Sequence, residues 1–206
     1  MVLALSEEWK LFLARLCHDL SAPIGTISLA SGALASSKET EAIHLLFEAQ
    51  QKLSARLKLF RLLSLSEKVY SQYAFAEVQE GLSAHSACLQ VSFSASGFSE
   101  KVPTFAMKFL ITAALVLLPS LVRKKNSTFL CQQRGTDFYC IGQGEGIVLS
   151  EEARTWFLNK EKNLSAQTIF CALLEDFAQA SRGTFHLEQT SEGVTLSLCH
   201  KASLVS

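Results

Sequence analysis

One of the five histidines stands where it could do covalent chemistry. His18 is followed directly by Asp19 and, five residues on, by Pro23, in the run Leu16-Cys17-His18-Asp19-Leu20-Ser21-Ala22-Pro23-Ile24. Imidazole is a nucleophile near neutral pH and can carry a phosphoryl group. An acid beside it can orient the ring or handle its proton; the alternative is an ordinary solvated helix acid. His44, His85, His186 and His200 have no partner at ligand or triad spacing and read as surface or satisfied core residues.

Such a histidine needs a rigid mount. Around it, apolar residues recur as Trp9, Leu13, Leu16, Leu20, Pro23, Ile27, Ala30 and Leu34, spaced alternately four and three. This is a heptad a/d seam and predicts one long amphipathic helix. On that register His18 takes an f position, away from the seam and open to a partner. Pro23 has no N–H for the carbonyl of Asp19, so the helix should bend just past His18. Gly25 and Gly32 fill the next two f positions, where glycine costs a helix about 1 kcal/mol relative to alanine. Ser21, Ala22, Thr26 and Ser28 flank them. The face below His18, with Leu29, is therefore low and weakly charged. It suits close approach of a partner helix; simple tolerance of small residues is the other reading.

His-Asp-Leu-x-x-Pro-Ile, from His18 to Ile24, resembles the H box of two-component histidine kinases, whose dimerisation helix carries the phosphorylated histidine. Over most of its length the chain is similar to bacterial histidine phosphotransferases of the ChpT type. Those join a kinase-like dimerisation hairpin to a degenerate kinase-like domain that no longer uses ATP. The likeness is specific at 16–27 and diffuse in the C-terminal part. It implies that His18 is the phosphoacceptor and Asp19 its proton or orientation partner. It implies a receiver-docking face of Ser21, Ala22, Gly25, Thr26, Leu29 and Gly32. The expected protein is a cytoplasmic homodimer. It takes a phosphoryl group from the receiver domain of a hybrid histidine kinase and passes it to response regulators. The receiver brings the magnesium and the acceptor Asp, so no cofactor and no metal are expected in this chain. Many H-box kinases carry Thr or Asn four residues after the histidine, positioning a water for receiver dephosphorylation. Ala22 stands there and favours plain transfer.

Kinases of this family that bind ATP need an N box, with Asn residues holding magnesium, on the helix corresponding to 104–122. Here that stretch reads Phe109-Leu110-Ile111-Thr112-Ala113-Ala114-Leu115, without Asn. They also need an Asp-x-Gly-x-Gly turn. The nearest candidate, Gly142-Gln143-Gly144-Glu145-Gly146, lacks the Asp and runs at once into Ile147-Val148-Leu149. A Gly-rich turn can cradle phosphate; a plain strand-to-helix turn is the expectation here. Two competing readings stay open: a soluble histidine kinase with a divergent ATP site, and a dimeric scaffold whose His18 is never phosphorylated.

The bulk properties agree with a folded globular protein. The 206 residues are 49% hydrophobic, enough for one large or two small domains. Nineteen basic and nineteen acidic residues give a formal charge of zero. That argues against general nucleic-acid or anionic-membrane binding. Arg123-Lys124-Lys125 is a short basic cluster and reads as a solvated loop. Cys17, Cys88, Cys131, Cys140, Cys171 and Cys199 are scattered, with no metal-ligand spacing. They read as reduced thiols, mostly buried, with Cys131 and Cys140 on neighbouring strands. No secretion signal is legible at the N-terminus. The greasy run from Phe109 to Val122 contains Pro119 and is expected to be a core helix rather than a membrane span.

Along the chain, Ser6 can cap a first helix ending near Ala35, and a second follows over about 41–65, with Leu46, Ala49, Leu53, Leu57 and Phe60 inward. The polar stretch 36–40 makes the pair an antiparallel hairpin. Phe12, Ile24, Leu45, Leu59 and Leu63 form a second greasy stripe that a dimeric four-helix bundle would cover. The polar stretch 66–72 reads as a junction, and 73–89 as a short strand signal mixed with a helix. Strands are expected at 90–96, 127–133, 137–141, 184–189 and 194–199, and helices at 104–122, 150–158 and 165–181, the last stopped near Gly183. The expected fold class is α+β: a hairpin over 1–66, then a degenerate histidine-kinase-type α/β sandwich over 73–206, with helices on one face.

Overall fold

Ser6 Oγ accepts the backbone N–H of Trp9 at 3.4 Å. Glu7 and Glu8 sit in the first turn, where acids complement the helix dipole. From this cap α1 runs Glu7–Leu34, with Pro23 inside it, and α2, Glu39–Leu63, packs along it as the second arm of the hairpin. The computed structural model describes residues 6–34, 39–64, 72–122, 124–158 and 162–199. The loop at 36–38, most of the polar junction at 66–72, Arg123 and His200 lie outside the described residues.

The hairpin follows the heptad except at its open end. Pro23 and Ala30 are buried, and Leu16, Leu20, Ile27 and Leu34 are half-buried. Trp9 and Leu13 are exposed instead, and Phe12 takes the inward place. The cause is tertiary. Phe12 meets Phe60 and Phe170 edge-on, with centroids 6.0 and 6.4 Å apart, and Phe60 stacks on Phe170 at 6.3 Å. Leu59 and Leu63 join the same core. Three members of the expected outer stripe, Phe12, Leu59 and Leu63, thus face the C-terminal portion, while Ile24 and Leu45 stay exposed. Leu57, expected inward, is exposed; Ala49 and Phe60 are buried.

The C-terminal portion continues as β1 (Gln72–Ala74), α3 (Phe75–Cys88), β2 (Ser92–Ser96), β3 (Lys101–Pro103), α4 (Thr104–Leu121), β4 (Thr128–Arg134) and β5 (Asp137–Gln143). It ends with α5 (Glu151–Leu158), α6 (Ile169–Ala180), β6 (Thr184–Gln189) and β7 (Gly193–Cys199). The main sheet has the order β2-β4-β5-β7-β6, with β2 and β4 parallel and the other pairs antiparallel. β1 and β3 form a separate two-stranded pair; β3 was not expected. The fold is therefore α+β with a mixed sheet.

Period-two alternation builds the core face of the sheet. Phe129 and Cys131, Phe138 and Cys140, and Val194, Leu196 and Leu198 all turn to one side and are buried. α4 crosses this face against β4, β5 and β7. Gly142 lets it approach: a Cβ there would stand 3.3 Å from Leu121 Cδ2. Among the described residues α4 alone is long and apolar enough to cross a membrane, and it is buried in this core. α6 starts later than expected. Ser165 and Thr168 bond reciprocally in a turn, each accepting the other's N–H, at 3.3 and 2.9 Å, and the helix begins at Ile169. At its other end the left-handed residue is Arg182, with φ 57°, while Gly183 donates to the Ala178 carbonyl.

Candidate functional site

His18 stands on α1 with its side chain 80% exposed, and its Nδ1 lies 3.2 Å from Asp19 Oδ1. A carboxylate oxygen accepts, so this contact selects the tautomer with hydrogen on Nδ1 and the lone pair on Nε2. Successive helix positions point apart. The contact therefore requires the Asp19 carboxylate to be turned, and Arg15 turns it. One turn earlier on α1, Arg15 donates through Nε to Asp19 Oδ2 at 3.1 Å. Its guanidinium lies over the Phe170 ring of α6, 5.6 Å from the centroid. Asp19 is only 12% exposed.

The backbone of Asp19 is held as well. Pro23 removes the helical donor for the Asp19 carbonyl oxygen, and Arg56 of α2 donates its guanidinium to that oxygen. The sequence foretold the freed carbonyl but not its partner. Below Pro23, a cavity of about 330 Å³ opens between α1, α2 and α3, lined by Thr26, Glu48, Lys52, Arg56, His85 and Cys88 among others. His85 is not the satisfied or surface residue expected. It is 5% exposed and its Nδ1 has no partner. Burial first, and then the Arg56 charge, push its pKa down to about 4 against the opposing pull of Asp19.

Along the expected docking face, Ser21, Ala22, Gly25 and Gly32 are exposed, Leu29 is 79% exposed, and Thr26 is half-buried at the cavity rim. Ser21, Thr26 and Ser28 turn their hydroxyls back to carbonyls one turn earlier, at 2.7, 3.1 and 3.2 Å. A Cβ on Gly25 or Gly32 would meet nothing within 4 Å. Nothing among the described residues requires glycine at either place.

The other motifs resolve into structure. In the Gly-rich turn, Gly144 and Gly146 take φ of 152° and 62°, values that favour glycine, and Gly144 donates to the Glu192 carbonyl at 3.3 Å. Ile147 and Leu149 after it are buried. On α4, Phe109 through Ala114 are fully buried, and Thr112 Oγ1 has no partner. A cavity of about 180 Å³ between α4, α5 and α6 is lined by Leu115, Val116, Pro119, Ala153 and Phe170 among others. Among the described residues no three His, Cys, Asp or Glu side chains converge as a metal site.

No family model and no curated protein matches the chain. A solved bacterial phosphotransferase superposes with a TM-score of 0.81 at 19% identity, over 95% of this chain and 98% of that one. The Acinetobacter baumannii histidine kinase AdeS gives 0.47 at 14% identity, over 90% and 98%. The histidine kinase domain of the Erythrobacter litoralis EL346 blue-light activated kinase gives 0.46 at 11% identity, over 85% and 94%. As the resemblance read from the H box implied, this chain has the fold of a bacterial phosphotransferase over nearly its whole length.

Proposed function

We propose that the chain is a histidine phosphotransferase of a two-component phosphorelay. The observation that carries this reading is an exposed His18 whose Nδ1 is engaged by a sheltered Asp19. Nε2 attacks the phosphorus of an aspartyl phosphate on the receiver domain of a hybrid histidine kinase. The bond from phosphorus to the aspartyl oxygen breaks, its electron pair returns to that carboxylate, and phosphohistidine forms. Nδ1 keeps its proton throughout, and Asp19 steadies the positive charge that grows on the ring. In the second transfer a response regulator's aspartate oxygen attacks the phosphorus, and the N–P bond breaks back onto Nε2. The receiver brings the magnesium that neutralises phosphoryl charge.

Three observations support details of this reading. The helix where ATP-binding relatives place their N box is filled with buried apolar side chains, and the cavity beside it, about 180 Å³, falls below the usual range of ligand pockets. This favours transfer without ATP. Exposed Ile24, Ile43, Leu45, Phe47 and Leu57 on the hairpin favour a homodimer closed as a four-helix bundle. The hairpin over 1–66 then acts as the transfer and dimerisation domain, and 73–206 as its kinase-like companion. The docking face from Ser21 to Gly32 is open along α1.

The test is a radiolabel transfer with purified protein. One tube holds labelled ATP and magnesium, another a phosphorylated receiver domain, each with a His18→Ala control. Label arriving from the receiver alone, and only with His18 present, is expected. Label arriving directly from ATP would make the chain a kinase. No label from either source would leave it a scaffold.

A further inference from the structure

We propose that Arg56 is a positioning residue for the His18–Asp19 pair, acting through the Asp19 backbone. For phosphotransfer this rests on the function proposed above; for the geometry of His18 it does not. Proline in a helix leaves the carbonyl four residues earlier without its N–H partner and pushes against it. In α1 that carbonyl belongs to Asp19, the residue whose carboxylate orients His18. A freed carbonyl at an exposed helix face is ordinarily met by water, which fixes nothing. Here a guanidinium from the other arm of the hairpin, 37 residues away in sequence, takes it. A charge-assisted donor on a planar head is directional as well as strong.

The surroundings of Arg56 point the same way. Among the described residues it has no carboxylate within ion-pair distance; its hydrogen bond goes to the Asp19 carbonyl. Its neighbour across the cavity, His85, is buried, and its Nδ1 takes no hydrogen bond from the guanidinium. The stem of Arg56 lines the cavity under Pro23, inside the hairpin. Arg15 and Arg56 therefore hold Asp19 at two points: Arg15 at the carboxylate, Arg56 at the main chain. With both in place the turn of α1 between Asp19 and Pro23 has one setting, and the His18 ring follows it.

The test is a cycle of Arg56→Met and Pro23→Ala, with Arg56→Lys as a milder variant that keeps the charge without the planar head. Two readouts are taken on the full chain: the rate of transfer from a phosphorylated receiver, split into kcat and KM, and the ¹⁵N shifts of the His18 ring. Arg56→Met is expected to lower kcat about tenfold with KM for the receiver nearly unchanged. It is also expected to move the His18 ring from one tautomer toward a mixture, with Arg56→Lys intermediate in both. In the Pro23→Ala background residue 23 regains an N–H for the carbonyl, so Arg56→Met should change either readout less than twofold. Unchanged His18 shifts in Arg56→Met, or equal effects in both backgrounds, overturn the proposal. If the parent protein accepts no label from any receiver, the proposed function falls, and the His18 shifts still decide the role of Arg56.

Discussion

Arg15 lies over the ring of Phe170, 5.6 Å from its centroid, while its Nε holds Asp19 at 3.1 Å. One side chain thus ties the acid beside His18 to α6 of the C-terminal portion. A cation over an aromatic face contributes about 0.5–1 kcal/mol where exposed and about 2 kcal/mol where desolvated, so about 1–2 kcal/mol at this partly buried site. Arg15→Met and Phe170→Leu should therefore show a coupling of about that size in a double-mutant cycle read by urea melts. Arg15→Lys should recover little of it, because an ammonium cannot both donate to the carboxylate and lie flat on the ring. Additive effects of the two substitutions would show that the pair is merely adjacent.

His85 gives the fold a pH dependence of definite sign. In the unfolded chain it titrates near the ordinary histidine value of 6.5; in the folded chain burial and the Arg56 charge hold it down to about 4. Between these values the unfolded state binds the extra proton, so folding loses stability as pH falls. The contribution is complete above about pH 6.5, drains through pH 5 and is gone near pH 4. It amounts to about 3 kcal/mol. Urea melts of the parent and of His85→Gln at pH 7 and pH 5 check this. The parent should weaken more than the variant over that interval, and parallel losses would contradict the assignment.

The sequence carried the local features of the site and missed those that depend on how two elements lie together. His18, Asp19 and the f-face glycines are consecutive or heptad-spaced, so one helix suffices to place them. Arg15 was within reach of the same reasoning, since it lies four residues before Asp19 on one helix face. Arg56 was not. Nothing in the spacing says which turn of α2 sits opposite Asp19 until the hairpin register is known. The seam failed at Trp9 and Leu13 for a related reason: the heptad describes helix against helix, whereas the open end of the hairpin also meets Phe170. β3 is three residues long and pairs only with β1, too short for an alternation to register. α6 stops near Gly183 as expected, but Arg182 takes the left-handed position, its N–H on the Gln179 carbonyl and the Gly183 N–H on that of Ala178.

The cysteines should divide by burial. Cys17 is exposed, whereas Cys131, Cys140 and Cys171 are buried. Burial raises the thiols of Cys140 and Cys171, the latter to about 12 with the Glu175 charge adding to it. Cys131 and Cys140 face each other across β4 and β5 with Sγ atoms 3.9 Å apart. Thiolate is the reactive form, so alkylation of the native protein should modify Cys17 first. The three buried cysteines should react only once the core is opened by denaturant. Mass spectrometry of a timed iodoacetamide reaction reads the order. Early loss of Cys131 or Cys140 would mean that the face under α4 opens in the native state.

Gly25 and Gly142 should respond to the same substitution in opposite directions. A Cβ on Gly25 meets nothing within 4 Å, and the position lies inside a long helix. Gly25→Ala should raise stability by up to about 1 kcal/mol, because alanine restricts the unfolded chain and fits the helix. At Gly142 the new methyl would stand 3.3 and 3.4 Å from the Leu121 methyls, so Gly142→Ala should destabilise, by about 1–3 kcal/mol. A gain at Gly25 would mean that glycine persists there against the interest of the fold, which is the signature of a surface kept low for something outside it. Gly25→Trp separates the two roles. It should melt like the parent and remain the same size by light scattering, yet accept label from a phosphorylated receiver at least tenfold more slowly, since a receiver helix could no longer approach His18 closely. Transfer at the parental rate would place the docking surface elsewhere on the hairpin.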